Sequence, residues 1–146
     1  MRVWLNGSSR GRRIDRRELR RSAKTILSAL GSADAELSIT LTSDAEIAEL
    51  AGRYGRPARP TDVLAFSMLE GQGAEYRGEL LGDVVISVET AERQASERGV
   101  ALDHELRDLL IHGVLHLLGM DHERPADARA MRELEDHLRW TLEQLA

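Results

Sequence analysis

Leu109-Leu-Ile-His112-Gly113-Val-Leu-His116-Leu-Leu-Gly119-Met-Asp121, with His122 directly after it, decides how this chain is read. The stretch is strongly apolar, and two histidines interrupt it four positions apart. On a helix that interval stacks His112 and His116 on one face, one turn apart. Gly119 supplies a helix stop, because glycine enters the left-handed conformation at no steric cost. A chain that turns back there carries His122 towards the same point. A lone histidine on an apolar helix is ordinarily a hydrogen-bonded core residue. Burying imidazoles without partners costs roughly 1–3 kcal/mol each, so three at this spacing ask for another explanation. Three neutral imidazoles converging from a helix and its following turn make a metal site with an open fourth position, as a catalytic zinc requires. The spacing therefore predicts His112, His116 and His122 as ligands of one Zn2+ per chain, though three imidazoles also accept nickel or copper.

Metzincin proteases carry three histidines and a glycine at the same intervals, in H-E-x-x-H-x-x-G-x-x-H. Here the position after the first histidine is Gly113. In those proteases it is the glutamate that acts as general base. The metal cage is expected and the protease base is missing, so hydrolysis of another bond is the leading reaction class.

Working outward, residues 103–118 form the metal helix, and Pro125 suits the first turn of a last helix. Met131, Leu134, Leu138, Leu142 and Leu145 give that helix a buried stripe. Upstream, residues 2–6 are a short strand. From Asp15 the period changes: Leu19, Ala23, Ile26, Leu27 and Leu30 mark an amphipathic helix ended by Gly31. Residues 36–42 alternate as a half-buried strand. Ser43 to Glu46 reads as a capping box opening a short helix with Ile47 and Leu50 on its apolar side. Residues 52–60 are a loop rich in glycine, proline and arginine. Residues 63–66, a continuous apolar run, read as a central strand. Residues 70–79 read as a mobile glycine-containing loop, residues 83–87 as another buried strand, and residues 89–98 as a polar helix capped by Gly99. The order β-α-β-α-β-β-α-α-α, with no repeat or linker, predicts one α+β domain over residues 1–146: a small mixed sheet of about four strands packed with about five helices, the metal helix central.

A chain of 146 residues suits one domain with a real core. The five aromatics are Trp4, Tyr54, Phe66, Tyr76 and Trp140, so aliphatic residues must build the interior. There is no cysteine, which removes disulfides and thiolate metal sites and fits a reducing compartment. The N-terminus has no long apolar run, so no signal peptide is expected. No stretch is apolar for long enough to span a membrane. A net charge of −5 argues against coating nucleic acid by bulk charge. Yet Arg10, Arg12, Arg13, Arg16, Arg17, Arg20, Arg21 and Lys24 cluster against two acids, either as a solvated face or as a local dock for a phosphate backbone.

A phosphodiester needs positive charge for its non-bridging oxygens, preferably a guanidinium. Arg53, Arg56 and Arg59 share one loop before the strand at residues 63–66 and are the candidates. Asp121, beside His122, is a candidate to orient a ligand imidazole or assist a water, and otherwise a turn residue. Glu123 reads as a cap or surface residue. Asp62 and Asp83 flank buried strands and are expected to make structural hydrogen bonds. His104 and His137 lack ligand spacing. No G-x-S-x-G, Walker loop or dinucleotide fingerprint is present.

These residues resemble a family. H-G-V-L-H-L-L-G-M-D-H is similar to the signature of the YbeY family of bacterial zinc-dependent endoribonucleases. Pro60-Thr-Asp-Val-Leu-Ala-Phe66 and Leu81-Gly-Asp-Val-Val-Ile-Ser87 are similar to two further blocks of that family, in the same order. The resemblance implies zinc at His112, His116 and His122. It implies cleavage of single-stranded RNA rather than DNA, 16S rRNA 3′ end maturation, ribosome quality control, contact with the small ribosomal subunit, and a cytoplasmic location. The family usually has Tyr-Arg six and five residues before the Pro-Thr pair; here those positions are Tyr54 and Gly55, and the arginine comes one later, as Arg56. The family's upstream asparagine is Ala51. Arg56 is carried over on the expectation that the loop shifts to compensate. Two alternatives stand beside the nuclease: a ribosome-associated RNA-binding factor with a structural metal, and a metalloprotease.

Overall fold

The computed structural model describes residues 2–68, 80–121 and 123–145. Nine elements follow in the expected order: β1 (Arg2–Gly7), α1 (Arg16–Ala29), β2 (Glu36–Thr42), α2 (Asp44–Arg53), β3 (Val63–Ser67), β4 (Leu80–Ser87), α3 (Val88–Arg98), α4 (Leu102–Leu117) and α5 (Pro125–Gln144). The expected loop at 70–79 lies outside the described residues, as does His122.

The four strands form one mixed sheet in the order β1-β2-β4-β3, the first three parallel and β3 antiparallel to β4. Alternation assigns the faces. Val3, Leu37, Ile39, Leu41, Val84 and Ile86 point to one side and join α1, α4 and α5 in the main core. Leu64 and Val85 point to the other and meet Ile47 and Ala51 of α2 in a smaller cluster.

The strand expected at the centre is at the edge: among the described residues β3 pairs only with β4, and β2 and β4 are the interior strands. Its continuous apolar run has another cause. Val63 and Ala65 pack towards the main core while Leu64 belongs to the α2 cluster, so both faces are covered although one edge is not. Hydrophobicity reports covered faces, not paired edges.

Caps set the helix bounds. The Asp15 and Ser43 side chains accept the backbone N–H groups of Glu18 and Glu46 at the starts of α1 and α2. The reciprocal half of the expected capping box is absent: the Glu46 carboxylate is taken by the Thr42 hydroxyl and by Arg10. Asp44 ties α2 to α3, accepting from the hydroxyls of Ser87 and Thr90, each at 2.6 Å, and from Arg93 at 2.9 Å. Burial pushes its carboxyl up, but these three donors together outweigh that and hold it below its ordinary value. On α5, Met131, Leu138 and Leu142 are buried as expected, whereas Leu145 falls just past the helix and is 64% exposed.

Half of the N-terminal basic cluster is used internally. Arg10 pairs with Glu46, Arg12 with Glu92 and Arg21 with Glu18, and Arg16 donates to the carbonyls of Leu5 and Gly7. Arg13, Arg17, Arg20 and Lys24 are exposed.

Candidate active site

The histidine helix is seated against the sheet and its neighbouring helices. Leu106, Leu110, Ile111, Val114 and Leu115 are fully buried in the main core. At Gly113 the helix lies so close to the sheet that an added Cβ would sit 2.7 Å from Val84 Cγ1 and 3.3 Å from Val63 Cγ2. The position that bears a glutamate in the metzincin pattern is thus one where α4 lies close against β3 and β4, and any side chain there forces Val84 or the helix to shift.

Gly119 ends α4 as expected, with φ +89°. The N–H of Met120 bonds the carbonyl of Leu115 and that of Gly119 the carbonyl of His116, at 3.1 and 3.0 Å. This is the paired closure of a Schellman turn, after which Met120 packs against the main core.

His112 and His116 project from that face, half-buried, with their Nε2 atoms 2.9 Å apart and their rings edge-on at 70°. Two nitrogens bound to one zinc at about 2.0–2.1 Å in tetrahedral array lie roughly 3.3 Å apart. The pair is therefore within about half an ångström of what a shared cation demands. On the far side of His112, the Glu135 carboxylate of α5 lies 3.6 Å from Nδ1. A carboxylate on that side of the ring is placed to accept from Nδ1 on a small approach, as the carboxylate behind a metal-bound histidine does. Glu135 also lies 3.7 Å from Arg139, whose Nε donates to Asp108 at 3.1 Å. Asp108 accepts in turn from Arg98, which also pairs with Glu105. The acids Glu105, Asp108 and Glu135 are all buried, so a charged lattice joins α3, α4 and α5 behind the histidine pair.

His112, Gly113 and His116 form one wall of an open cleft of about 950 Å³ along the β3 edge. The opposite wall includes Tyr54, Arg56 and Phe66. The loop that carries Arg56 begins with a tight reversal. Gly55 has φ +77°, and the N–H groups of Gly55 and Arg56 bond the carbonyls of Gly52 and Ala51, a second Schellman turn. It places the Arg56 guanidinium 5.5 Å from the centre of the Phe66 ring, with no carboxylate paired to it among the described residues. Its neighbour Arg53 is instead paired with Glu49 at 2.8 Å, and Arg59 is exposed.

The remaining candidates separate. Asp121 Oδ1 accepts the Glu123 N–H at 3.1 Å, a turn bond beside His122. Asp62 accepts from Val63 N–H and Gln94, as expected of a structural group. Asp83 departs from that expectation: it lines the cleft, and its side chain makes no hydrogen bond among the described residues. His104 lies 3.5 Å from Asp108 and His137 stacks on Trp140, both away from the pair.

A family model described as Endoribonuclease YbeY matches residues 5–143. The chain belongs to the YbeY family. It is 52% identical over 122 residues to a relative from Anaeromyxobacter dehalogenans named Endoribonuclease YbeY, covering 84% of this chain and 62% of that one. Two relatives of the same name, from Geobacter sulfurreducens and Aquifex aeolicus, are 43% and 45% identical over 90% and 87% of this chain and 88% and 83% of theirs. A solution structure from Thermotoga maritima shares the fold, with a TM-score of 0.65 over 96% of this chain and 88% of that one at 25% identity. Among the described residues no helix is long and apolar enough to cross a membrane.

Sequence reasoning passed over Glu135, although a signal was present. It occupies the buried stripe Met131, Glu135, Leu138, Leu142, and a carboxylate among apolar residues at helical spacing implies a buried partner. It also took Phe66 only as a strand residue.

Proposed function

We propose that this chain is a metal-dependent endoribonuclease that cuts single-stranded RNA, with His112, His116 and His122 holding one Zn2+ and Arg56 meeting the phosphate. The observation that carries the reading is the convergence of two imidazole Nε2 atoms on one wall of a cleft whose other wall bears the Arg56 guanidinium. Bound there, the cation supplies positive charge and Lewis acidity. Arg56 supplies N–H donors for the non-bridging oxygens, where charge grows as the phosphate is attacked. It sits over Phe66 and pairs with no carboxylate among the described residues, so its charge faces the cleft. Glu135, 3.6 Å from His112 Nδ1, is the carboxylate placed to orient that ring. Asp121, next in sequence to His122, is carried as the candidate that assists a proton transfer.

The family name supports RNA as the substrate. We extend the reading to 16S rRNA 3′ end maturation and ribosome quality control on the small subunit in the cytoplasm, on the strength of the motif resemblance. A protease of the metzincin pattern would need a carboxylate at position 113, which is glycine here and packs against Val84.

The test is cleavage of a labelled single-stranded RNA by the purified protein, with and without chelator, and by His116→Ala. Cleavage that is lost in both and returns to the chelated wild type on adding zinc is the expected result. Cleavage that survives chelation and the substitution together overturns the proposal.

A further inference from the structure

The chain has few aromatics, and two of them touch each other in the cleft. The Tyr54 and Phe66 rings lie 4.7 Å apart, tilted by 47°. Phe66 is half-buried and packs against the α2 cluster, so its position is set by the sheet. Tyr54 is the C-cap of α2, held by the turn at Gly55, yet it is 63% exposed. The result is an aromatic step with one ring half-buried against the sheet and the next open to solvent. The Arg56 guanidinium lies over the same Phe66 ring. An exposed aromatic beside a guanidinium is a pairing that binds single-stranded nucleic acid, the ring taking a base and the cation its phosphate.

Resting on the RNA reading above, we propose that Tyr54 is a base-stacking subsite: the nucleobase of a nucleotide flanking the scissile phosphate lies on the open face of Tyr54, backed by Phe66, while Arg56 takes the phosphate. Two consequences follow. A base must leave its helix stack to mount the ring, so the subsite selects unpaired RNA. Every base has a π-face, so it does so with little preference for sequence.

The experiment is binding of the protein as purified to a fluorescein-labelled, phosphorothioate-linked hexaribonucleotide, followed by anisotropy at fixed salt. Tyr54→Ala is expected to weaken binding about 10-fold or more, and Tyr54→Phe to leave it unchanged. An abasic nucleotide is placed at each position of the oligonucleotide in turn. At one position it is expected to cost wild type the same factor, and to cost Tyr54→Ala nothing further, since both changes remove one contact. The abasic series on wild type alone decides the matter if the alanine variant folds poorly. Wild type that binds the RNA while Tyr54→Ala binds equally well, or while no abasic position matters, overturns the subsite and leaves the nuclease reading standing. Wild type that binds no RNA overturns the nuclease reading and the subsite with it.

Discussion

Gly113→Ala tests the seating of the histidine helix directly. The new methyl would stand 2.7 Å from Val84 Cγ1, 3.2 Å from Val84 Cγ2 and 3.3 Å from Val63 Cγ2. Carbon atoms in contact prefer about 3.5–4.0 Å, so the tightest gap is short by roughly 0.8 Å or more. Val84 is fully buried in an interior strand and has nowhere to go, so α4 must lift from the sheet. Overpacking of this kind costs about 1–3 kcal/mol. Replacing glycine by alanine inside a helix returns up to about 1 kcal/mol. With the full return the net loss is about 0–2 kcal/mol, or a fall in Tm of up to roughly 8 °C for a chain of this size. Activity should suffer more than stability. The lift moves His112 and His116 together relative to Arg56 on the far wall, and a misplacement near 1 Å costs on the order of 100-fold in rate. Differential scanning calorimetry and single-turnover RNA cleavage at saturating zinc measure the two effects. A Gly113→Ala protein that melts higher than wild type and cleaves at the same rate would show that α4 does not rest on Val84, and the account of the site would fail.

Other outcomes follow from the same geometry. Glu135→Gln should weaken zinc binding about 10- to 100-fold, read by chelator competition, while a matched Asp136→Asn change at an exposed position leaves it unaltered; equal affinities would remove Glu135 from the site. Arg56→Ala should lower kcat with little change in the Tm, and Arg56→Lys should recover only part of it, because lysine lacks the planar fork; full activity in the alanine variant would dismiss the guanidinium. The Asp44 carboxyl titrates lower in the folded chain than in the unfolded one. Its bonds therefore add stability above the unfolded aspartate value of about 3.9, and that contribution fades as the pH falls through the folded value. Asp44→Asn should accordingly be the weaker protein in urea at neutral pH and approach wild type in acid; a gap that widens in acid has the wrong sign.

Much of this could be read from residue order, and the misses have definite causes. The α4 stretch declares itself because imidazoles in an apolar helix demand a partner, and its spacing names the face. Strand and helix identity followed from period and caps at Asp15, Ser43, Gly99 and Pro125. The edge position of β3 was hidden because α2 and α4 cover both of its faces, leaving the same apolar signature as an interior strand. Leu145 extended a stripe that the helix itself does not reach. Glu135 and the Asp108–Arg139 contact join helices far apart in sequence, and no local pattern encodes which buried acid meets which cation. The meaning of Gly113 was half legible: its identity argued against a protease, but only the packing against Val84 explains why the site is bare.

The turn at Gly55 bears on how relatives are compared. An alignment column assumes that homologous slots do equivalent work, yet here the slot after Tyr54 is spent on reversing the backbone, and the guanidinium above Phe66 belongs to the residue after it. A pattern search insisting on adjacent tyrosine and arginine would discard this chain, whereas a search for a cation above the phenylalanine of the neighbouring strand would keep it.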